Sequence, residues 1–337
     1  MFGPIKYKLT TNEMMNTDAA HLKSMFICVL PWFKNLQSTP IKLSFSTMNI
    51  ALITYLDKGA YDTTTVESED DKLLHFLKDK GLNIEKLIWN DEQINWKNYS
   101  HAILKSPWDY FDLIEDFYEW LNLLEAKKVK LLNPIDVVRW NSNKLYLQEI
   151  EAAGLKIIPS AFIKKQENIT LETFFEKFNT DKLIVKPCIS GGAKNTFKVT
   201  NENVEEINQK LNQLIQDEDF IIQPFLPEIL ESGEWSFIFF NGVYSHSLIK
   251  QAKPGDFRVQ PAHGGTVHPQ QPDEELIATA AEYVSLFAKN CLYARVDGTF
   301  VKGEFLLMEL ELIEPFLFLN TEPQIYDRYY QALKELM

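Results

Sequence analysis

The residues best suited to do chemistry lie near the end of the chain, in Phe305–Pro315 (FLLMELELIEP). Successive side chains of an extended strand point to opposite faces, so Glu309 and Glu311 share one face and Met308, Leu310 and Leu312 the other. Upstream, Ala294–Phe300 (ARVDGTF) reads as a second strand, with Lys302-Gly303 as the turn between them. An odd loop centred on Gly303 places Asp297 opposite Glu309. A two-residue turn at Lys302-Gly303 puts Asp297 on the other face unless a bulge corrects it. Three carboxylates over a small area repel one another unless a cation sits among them. Oxygen-only donors on a rigid sheet suit Mg²⁺ or Mn²⁺, and Mg²⁺ held by one or two carboxylates usually also holds a nucleotide phosphate. A solvated acidic face on an edge strand is the alternative reading of this stretch.

Two earlier segments have the makings of an anion site and a base site. Leu183–Lys194 (LIVKPCISGGAK) delivers Lys186 on a strand, and Ser190-Gly191-Gly192 follows as a flexible loop whose backbone N–H groups can approach an anion. Lys186 would act there as a point charge for phosphate. The spacing fits neither the Walker loop nor the dinucleotide fingerprint, and by itself a Ser-Gly-Gly turn after a strand is more often a plain hairpin loop. In Phe220–Ser236 (FIIQPFLPEILESGEWS) a strand runs into Gln223-Pro224-Phe225-Leu226, which offers backbone groups beside apolar side chains and so suits an adenine edge. Glu234, on the next strand, can accept from ribose hydroxyls. The other reading is a proline-bent crossover with Glu234 solvated. Arg295 shares a face with Asp297 and is either a phosphate ligand or that acid's ion-pair partner. His246 and His268 read as structural residues in a strand and a loop, while His263 adjoins Gly264-Gly265 and is open between the two roles.

The elements that must hold these residues change character midway. Met48–Tyr55 (MNIALITY) opens a strand–helix alternation: Ser68-Glu69-Asp70-Asp71 suggests a capping box ahead of Leu73, Leu74 and Leu77. Strands follow at 84–88, 101–106 and 129–132, with a helix capped by Asp109 among them. That rhythm implies a parallel sheet covered by helices. Pro107-Trp108-Asp109-Tyr110 lies at a strand's carboxyl end, where open α/β sheets present loops to ligands, although a structural turn fits too. Trp108, Tyr110, Phe111 and Trp120 read as core. A helix over 141–153 ended by Gly154 precedes the second half. There, strands at 157–162, 182–187 and 220–224, an Asn241-Gly242 hairpin, and helices at 171–178, 204–215 and 274–290 read as α+β. Residues 1–47 carry no periodicity, so Met48 is expected to be the true start or 1–47 an extension.

Composition bounds the function. The 337 residues carry a formal net charge of −13, which argues against a nucleic-acid partner. Cys28, Cys188 and Cys291 are widely separated, so neither a zinc site nor a disulfide framework is expected and a reducing, cytoplasmic setting is. No apolar run reaches membrane-spanning length, and no membrane partner is expected.

In this order, Lys-Pro with a Gly-rich loop, Gln-Pro-Phe-Leu-Pro-Glu-Ile, Gly-Glu, basic residues with Gly-Gly, and Asp…Glu-x-Glu, the sequence resembles the ATP-grasp superfamily and, within it, the ATP-binding domain of prokaryotic glutathione synthetase and ligases that form D-cycloserine. The resemblance implies a Rossmann-like pre-ATP-grasp domain at 48–140 and two ATP-grasp subdomains at 141–225 and 226–337. It implies Lys144 and Lys186 on the ATP phosphates, and Ser190, Gly191 and Gly192 in the loop closing over them. Gln223, Pro224, Phe225 and Leu226 form the adenine hinge and Glu234 the ribose carboxylate. Lys250 and Arg258 face the transferred phosphate, and Asp297, Glu309 and Glu311 ligate Mg²⁺, with two ions expected. Glutathione synthetases have Asn where Glu311 stands, and their Asn-x-x-Ser-Pro tail is Leu312-Ile313-Glu314-Pro315 here, a departure at the substrate end. The implied activity is ATP- and Mg²⁺-dependent joining of a small carboxylate to an amine through an acyl-phosphate, with a homodimer common in lookalikes. An ATP-binding regulatory protein without ligase activity is the alternative.

Overall fold

The computed structural model of the chain describes residues 48–56, 64–260 and 264–337, and of 64–68 the backbone alone. The expectations for residues 1–47 and for His263 lie outside the described residues. Three four- or five-stranded sheets carry the architecture.

The first is built from β1 (Asn49–Thr54), α1 (Thr64–Asp79), β2 (Asn83–Ile88), β3 (His101–Ser106), α2 (Ile114–Lys127) and β4 (Lys130–Leu131). Its order is β2-β1-β3-β4 with every pair parallel, as the strand–helix alternation implies. Ile50 to Ile53 are fully buried, which is why that run is apolar without alternation. Two helix starts differ from expectation. Helix α1 begins at Thr64, so Ser68 lies inside it and not at its start. Helix α2 begins at Ile114, and Asp109 instead accepts a 2.6 Å hydrogen bond from the Trp89 indole.

After α3 (Ile135–Asn141) and α4 (Tyr146–Ala152), the second sheet uses β5 (Ala161–Ile163), α5 (Glu172–Phe178), β6 (Lys182–Pro187), β7 (Phe197–Thr200), α6 (Val204–Leu214) and β8 (Phe220–Pro224). Its order is β5-β8-β6-β7, antiparallel throughout. The helix expected over 141–153 is two helices, broken where Asn143 turns its side chain onto the Leu145 N–H, and Gly154 ends the second at φ +89°.

The third sheet holds the acidic hairpin. A short α7 (Glu228–Glu231) leads to β9 (Glu234–Phe240), β10 (Val243–Gln251), β11 (Thr266–Gln270), α8 (Glu274–Phe287), β12 (Tyr293–Val301) and β13 (Glu304–Glu311), with α9 (Gln324–Leu336) last. The order is β11-β10-β9-β12-β13, antiparallel. His268 lies on β11, not in a loop. One face of this sheet, with Phe237, Phe239, Val296 and Leu310, packs on Tyr146, Leu147 and Ile150 of α4 and on Ala280, Tyr283 and Val284 of α8. Alternation then puts Glu234, Ser236, Lys250, Arg295, Asp297, Glu309 and Glu311 on the other face. Farther along that face Ile238, Phe240 and Leu248 join the core of the first sheet and α9.

Candidate active site

The register of β12 and β13 decides the site. The turn is Lys302-Gly303 with both residues at positive φ, and Val301 pairs with Glu304. Pairing then runs Gly298 to Leu307 and Asp297 to Glu309, so Met308 is an extra residue in β13. Of the two geometries open from sequence, the two-residue turn with a correcting bulge is the one that forms. Gly298 is what lets it form: a Cβ there would meet Phe305 Cζ at 2.4 Å and the Leu306 carbonyl oxygen at 2.5 Å.

As the last strand of its sheet, β13 has a row of outward peptide groups that need partners. Side chains from the 141–146 segment supply several. The Tyr146 hydroxyl receives the Leu310 N–H at 2.9 Å and donates toward the Leu310 carbonyl at 3.2 Å. Asn141 donates to the Leu310 carbonyl at 2.7 Å and accepts from the Leu312 N–H at 3.0 Å. The peptides flanking Glu309 and Glu311 are thereby fixed. Sequence reasoning missed both roles; a buried Asn and Tyr opening a helix next to an unpaired edge strand would have been the signal.

Around the acids stands a ring of cations. Arg295 grips Asp297 from Nε at 3.0 Å and Nη2 at 2.8 Å, and also bonds Glu311 and the Phe316 carbonyl. Lys250 lies 2.5 Å from Glu234 and 3.1 Å from Asp297, and Ser236 donates to Asp297 at 2.6 Å. Lys144 pairs with Glu309 at 3.0 Å and donates to the Ser190 carbonyl at 2.9 Å, which ties the acids to the Gly-rich loop. Glu234, Lys250, Arg295 and Asp297 are buried, so Glu234 is not solvated. Burial raises the Asp297 carboxyl, but Arg295 and Lys250 outweigh it and hold the group well below the usual range. For Glu309, burial is likewise overcome by Lys144 and Lys186. For Glu311 burial wins over Arg295 and pushes the group up to about 7. Lys186 is the exception among the cations. It has no hydrogen-bond or ion-pair partner among the described residues, and burial lowers its affinity for a proton despite Glu309.

Arg258 is not brought into this ring. Its guanidinium is bidentate to Asp256, at 3.0 and 2.8 Å, and 38% of the side chain is exposed. At the hinge, Gln223 is buried and bonds Ser160 at 2.9 Å, while the Phe225 N–H already donates to the Lys182 carbonyl. Phe225 packs edge-on to Phe257 and under Lys198. Ser190 donates to the Pro187 carbonyl, and a Cβ on Gly191 would fall 2.2 Å from the Phe111 ring. Phe111 and the Lys194–Asp112 pair thus join the Gly-rich loop to the 107–113 loop. Of the aromatics read as core, Tyr110 and Trp120 are buried in it. His246 is structural as expected: Nε2–H donates to the Leu317 carbonyl at 2.9 Å and Nδ1 faces Ser245.

Asp297, Glu309 and Glu311 fit a hard divalent cation by donor type. No three His, Cys, Asp or Glu groups converge on one point among the described residues: Glu309 leans on Lys144, and Asp297 and Glu311 both lean on Arg295. That suits ions that take one or two carboxylates here and their other ligands from phosphate and water.

Comparison with known proteins gives this arrangement its class. Residues 50–133 match the family model for the N-terminal domain of D-cycloserine synthetase DcsG, and residues 143–297 that for the ATP-grasp domain of prokaryotic glutathione synthetase. Over these two matched segments the chain is similar to ATP-grasp ligases, enzymes that form carbon–nitrogen bonds with ATP and Mg²⁺. Among its relatives is the cycloserine biosynthesis protein DcsG of Streptomyces lavendulae, 24% identical over 275 residues that cover 78% of this chain and 92% of that protein. The crystal structure of D-cycloserine synthetase DcsG is similar in fold, with a TM-score of 0.73 at 24% identity over 86% of this chain and 99% of that one. D-alanine–D-alanine ligase from Bacillus anthracis, solved with ATP, is similar at a TM-score of 0.63 and 14% identity, over 86% and 96%. Among the described residues no helix is long and apolar enough to cross a membrane.

Proposed function

We propose that this ligase activates a small, amino-acid-like carboxylate as an acyl-phosphate and joins it to an amine. The observation that carries the reading is the pairing of Asp297 with Glu309 on one face of β12 and β13, ringed by Lys144, Lys186, Lys250 and Arg295. Phosphoryl transfer asks for positioning and charge neutralisation rather than covalent help from the protein. Lys186, half-buried and unpartnered, supplies a positive charge that no protein acid has claimed, which suits the ATP phosphates. Lys144 joins it, linked through Ser190 to a loop that would exclude water from a reactive acyl group. Asp297, Glu309 and Glu311 would hold Mg²⁺, about two ions, whose chemistry is to neutralise phosphate charge. Gln223–Leu226 takes the adenine and Glu234 the ribose. Arg258 joins the phosphate site only on exchanging Asp256 for it.

In the first step a substrate carboxylate oxygen attacks the γ-phosphorus and ADP leaves. In the second the amine nitrogen attacks the acyl carbon, phosphate leaves and the nitrogen gives up its proton. Two of the similar proteins carry amino-acid-like molecules in their names, cycloserine and D-alanine, which supports that substrate class. A phosphate-release screen of amino acids and small carboxylates paired with amines tests the reading. MgATP-dependent release with at least one pair is expected; no release with any pair, despite ATP binding, would favour a regulatory ATP sensor instead.

A further inference from the structure

Between the end of β13 and α9 the chain is irregular yet buried: Leu312, Ile313, Leu317, Phe318 and Leu319 are all inside. Buried N–H and C=O groups need partners, and residues 312–319 find them one at a time, chiefly on side chains. Asn133 donates to the Leu312 carbonyl at 2.7 Å, the Trp108 indole to the Glu314 carbonyl at 3.4 Å, and His246 to the Leu317 carbonyl at 2.9 Å. Glu69, on α1, takes two at once. Its Oε1 accepts from the Leu317 N–H at 3.0 Å and its Oε2 from the Leu319 N–H at 2.9 Å.

Burying a carboxylate for this purpose is costly. Lys105 answers the charge at 2.9 Å and also meets Asp70 at 3.0 Å, and Asp70 accepts from Ser106. All four side chains are buried. Apolar residues of similar volume stabilise a fold as well as such an ion cluster does, so stability does not account for it.

The peptide that Glu69 holds has a second partner. The Leu317 N–H and the Phe316 carbonyl belong to one planar trans unit, whose two polar groups point in opposite directions. On the carbonyl side Arg295 Nη1 donates at 3.0 Å, and the Arg295 guanidinium also lies 6.0 Å from the Phe318 ring centre. Its Nε and Nη2 hold Asp297, and Nη2 also bonds Glu311. One line of hydrogen bonds therefore runs from the Glu69 carboxylate through a single rigid peptide to Arg295 and on to the acids of β12 and β13. Building on the ligase reading above for what Arg295 serves, we propose that Glu69 is a positioning residue for the active site. It fixes the 316–317 peptide, and that peptide fixes the Arg295 guanidinium against Asp297 and Glu311. The segment matched to the DcsG N-terminal domain thereby sets the geometry of a site carried by the third sheet.

The test compares two variants of the full chain that each remove one acid of the cluster. Glu69→Met releases the Leu317 and Leu319 N–H groups and leaves Lys105 paired with Asp70; Asp70→Asn leaves Glu69 on both N–H groups. The chain has four arginines, Arg139, Arg258, Arg295 and Arg328, so the Nε–H spectrum of protein labelled with ¹⁵N-arginine is sparse, and Arg295→Lys assigns the Arg295 signal. That signal should move in Glu69→Met and stay in place in Asp70→Asn. With MgATP and the best carboxylate–amine pair, Glu69→Met should lower kcat between about tenfold and a hundredfold, the range for outer partners of ligating groups. KM for ATP should change little, and Asp70→Asn should keep its kcat. Where Glu69→Met does not fold, Glu69→Asp keeps a charge for Lys105 on a side chain one methylene shorter, and the same changes are expected of it. An unmoved Arg295 signal, an equal movement in Asp70→Asn, or an unchanged kcat in the Glu69 variant overturns the proposal. ADP release with no pair from the unaltered chain, with the Arg295 signal still moved by Glu69→Met, overturns the ligase reading and leaves Glu69 positioning Arg295.

Discussion

Asp297 faces Glu309 because Met308 is one residue too many in β13. Without that bulge the strict two-residue turn would carry Asp297 to the face packed on α4 and α8. The bulge in turn depends on Gly298, where any Cβ would press on the Phe305 ring and on the Leu306 carbonyl. Gly298→Ala is therefore expected to cost about 1–3 kcal/mol in urea unfolding, the usual range for overpacking, and to lower ADP formation by more than the lost stability explains. Unaltered stability would mean the hairpin tolerates a side chain there.

Lys186 should separate stability from activity. Its ammonium is half-buried without an acid at contact distance, so removing the charge relieves a desolvation cost instead of breaking a pair. Lys186→Met is expected to leave thermal stability without ligand unchanged or slightly raised. It should lower ADP formation about a hundredfold, the scale for one lost transition-state charge contact, and weaken stabilisation by MgATP. A large loss of stability without ligand would show that Lys186 is a structural cation.

Tyr146 should behave in the opposite way. Its hydroxyl both donates to and accepts from the Leu310 peptide, between the two acids of β13. Tyr146→Phe leaves buried peptide groups short of a partner, which costs about 1–3 kcal/mol, and ADP formation should fall with it. Calorimetry and turnover measured on the same sample decide whether both move together.

His246 gives a pH signature. Burial, opposed by its bond to the Leu317 carbonyl, lowers the imidazole to about 4, while the unfolded chain binds that proton near 6.5. Because the unfolded state holds more protons between those values, this contribution is complete above pH 6.5 and is lost as pH falls toward 4. The loss is on the order of 3 kcal/mol at most. His246→Gln should therefore be less stable at pH 7 and lose less on acidification; parallel pH curves for the two proteins would exclude the titration.

Much of this was legible in the sequence because periodicity and turn chemistry act locally. The buried run at Ile50–Ile53, the Asn241-Gly242 hairpin and the alternation in β13 each announce their element within a few residues. What stayed hidden depends on distant partners. Ser68 looks like a cap, yet α1 continues through it, and Glu69 is used to bind the Leu317 and Leu319 N–H groups nearly the whole chain away. Asp109 could cap a helix but serves Trp89. Asn141 and Tyr146 mean nothing until β13 lies beside them as an edge. The bulge at Met308 was readable as a requirement, not as a fact, since only packing around Gly298 selects it.

The central claim is that Asp297, Glu309 and Glu311 gather divalent ions that hold ATP. Mn²⁺ bound in the presence of saturating ATP, counted from the loss of the free-ion electron paramagnetic resonance signal, tests it most directly. About two ions are expected on the unaltered chain, with at least one lost in Glu309→Gln while circular dichroism is unchanged. Equal Mn²⁺ binding in the two proteins would contradict the claim.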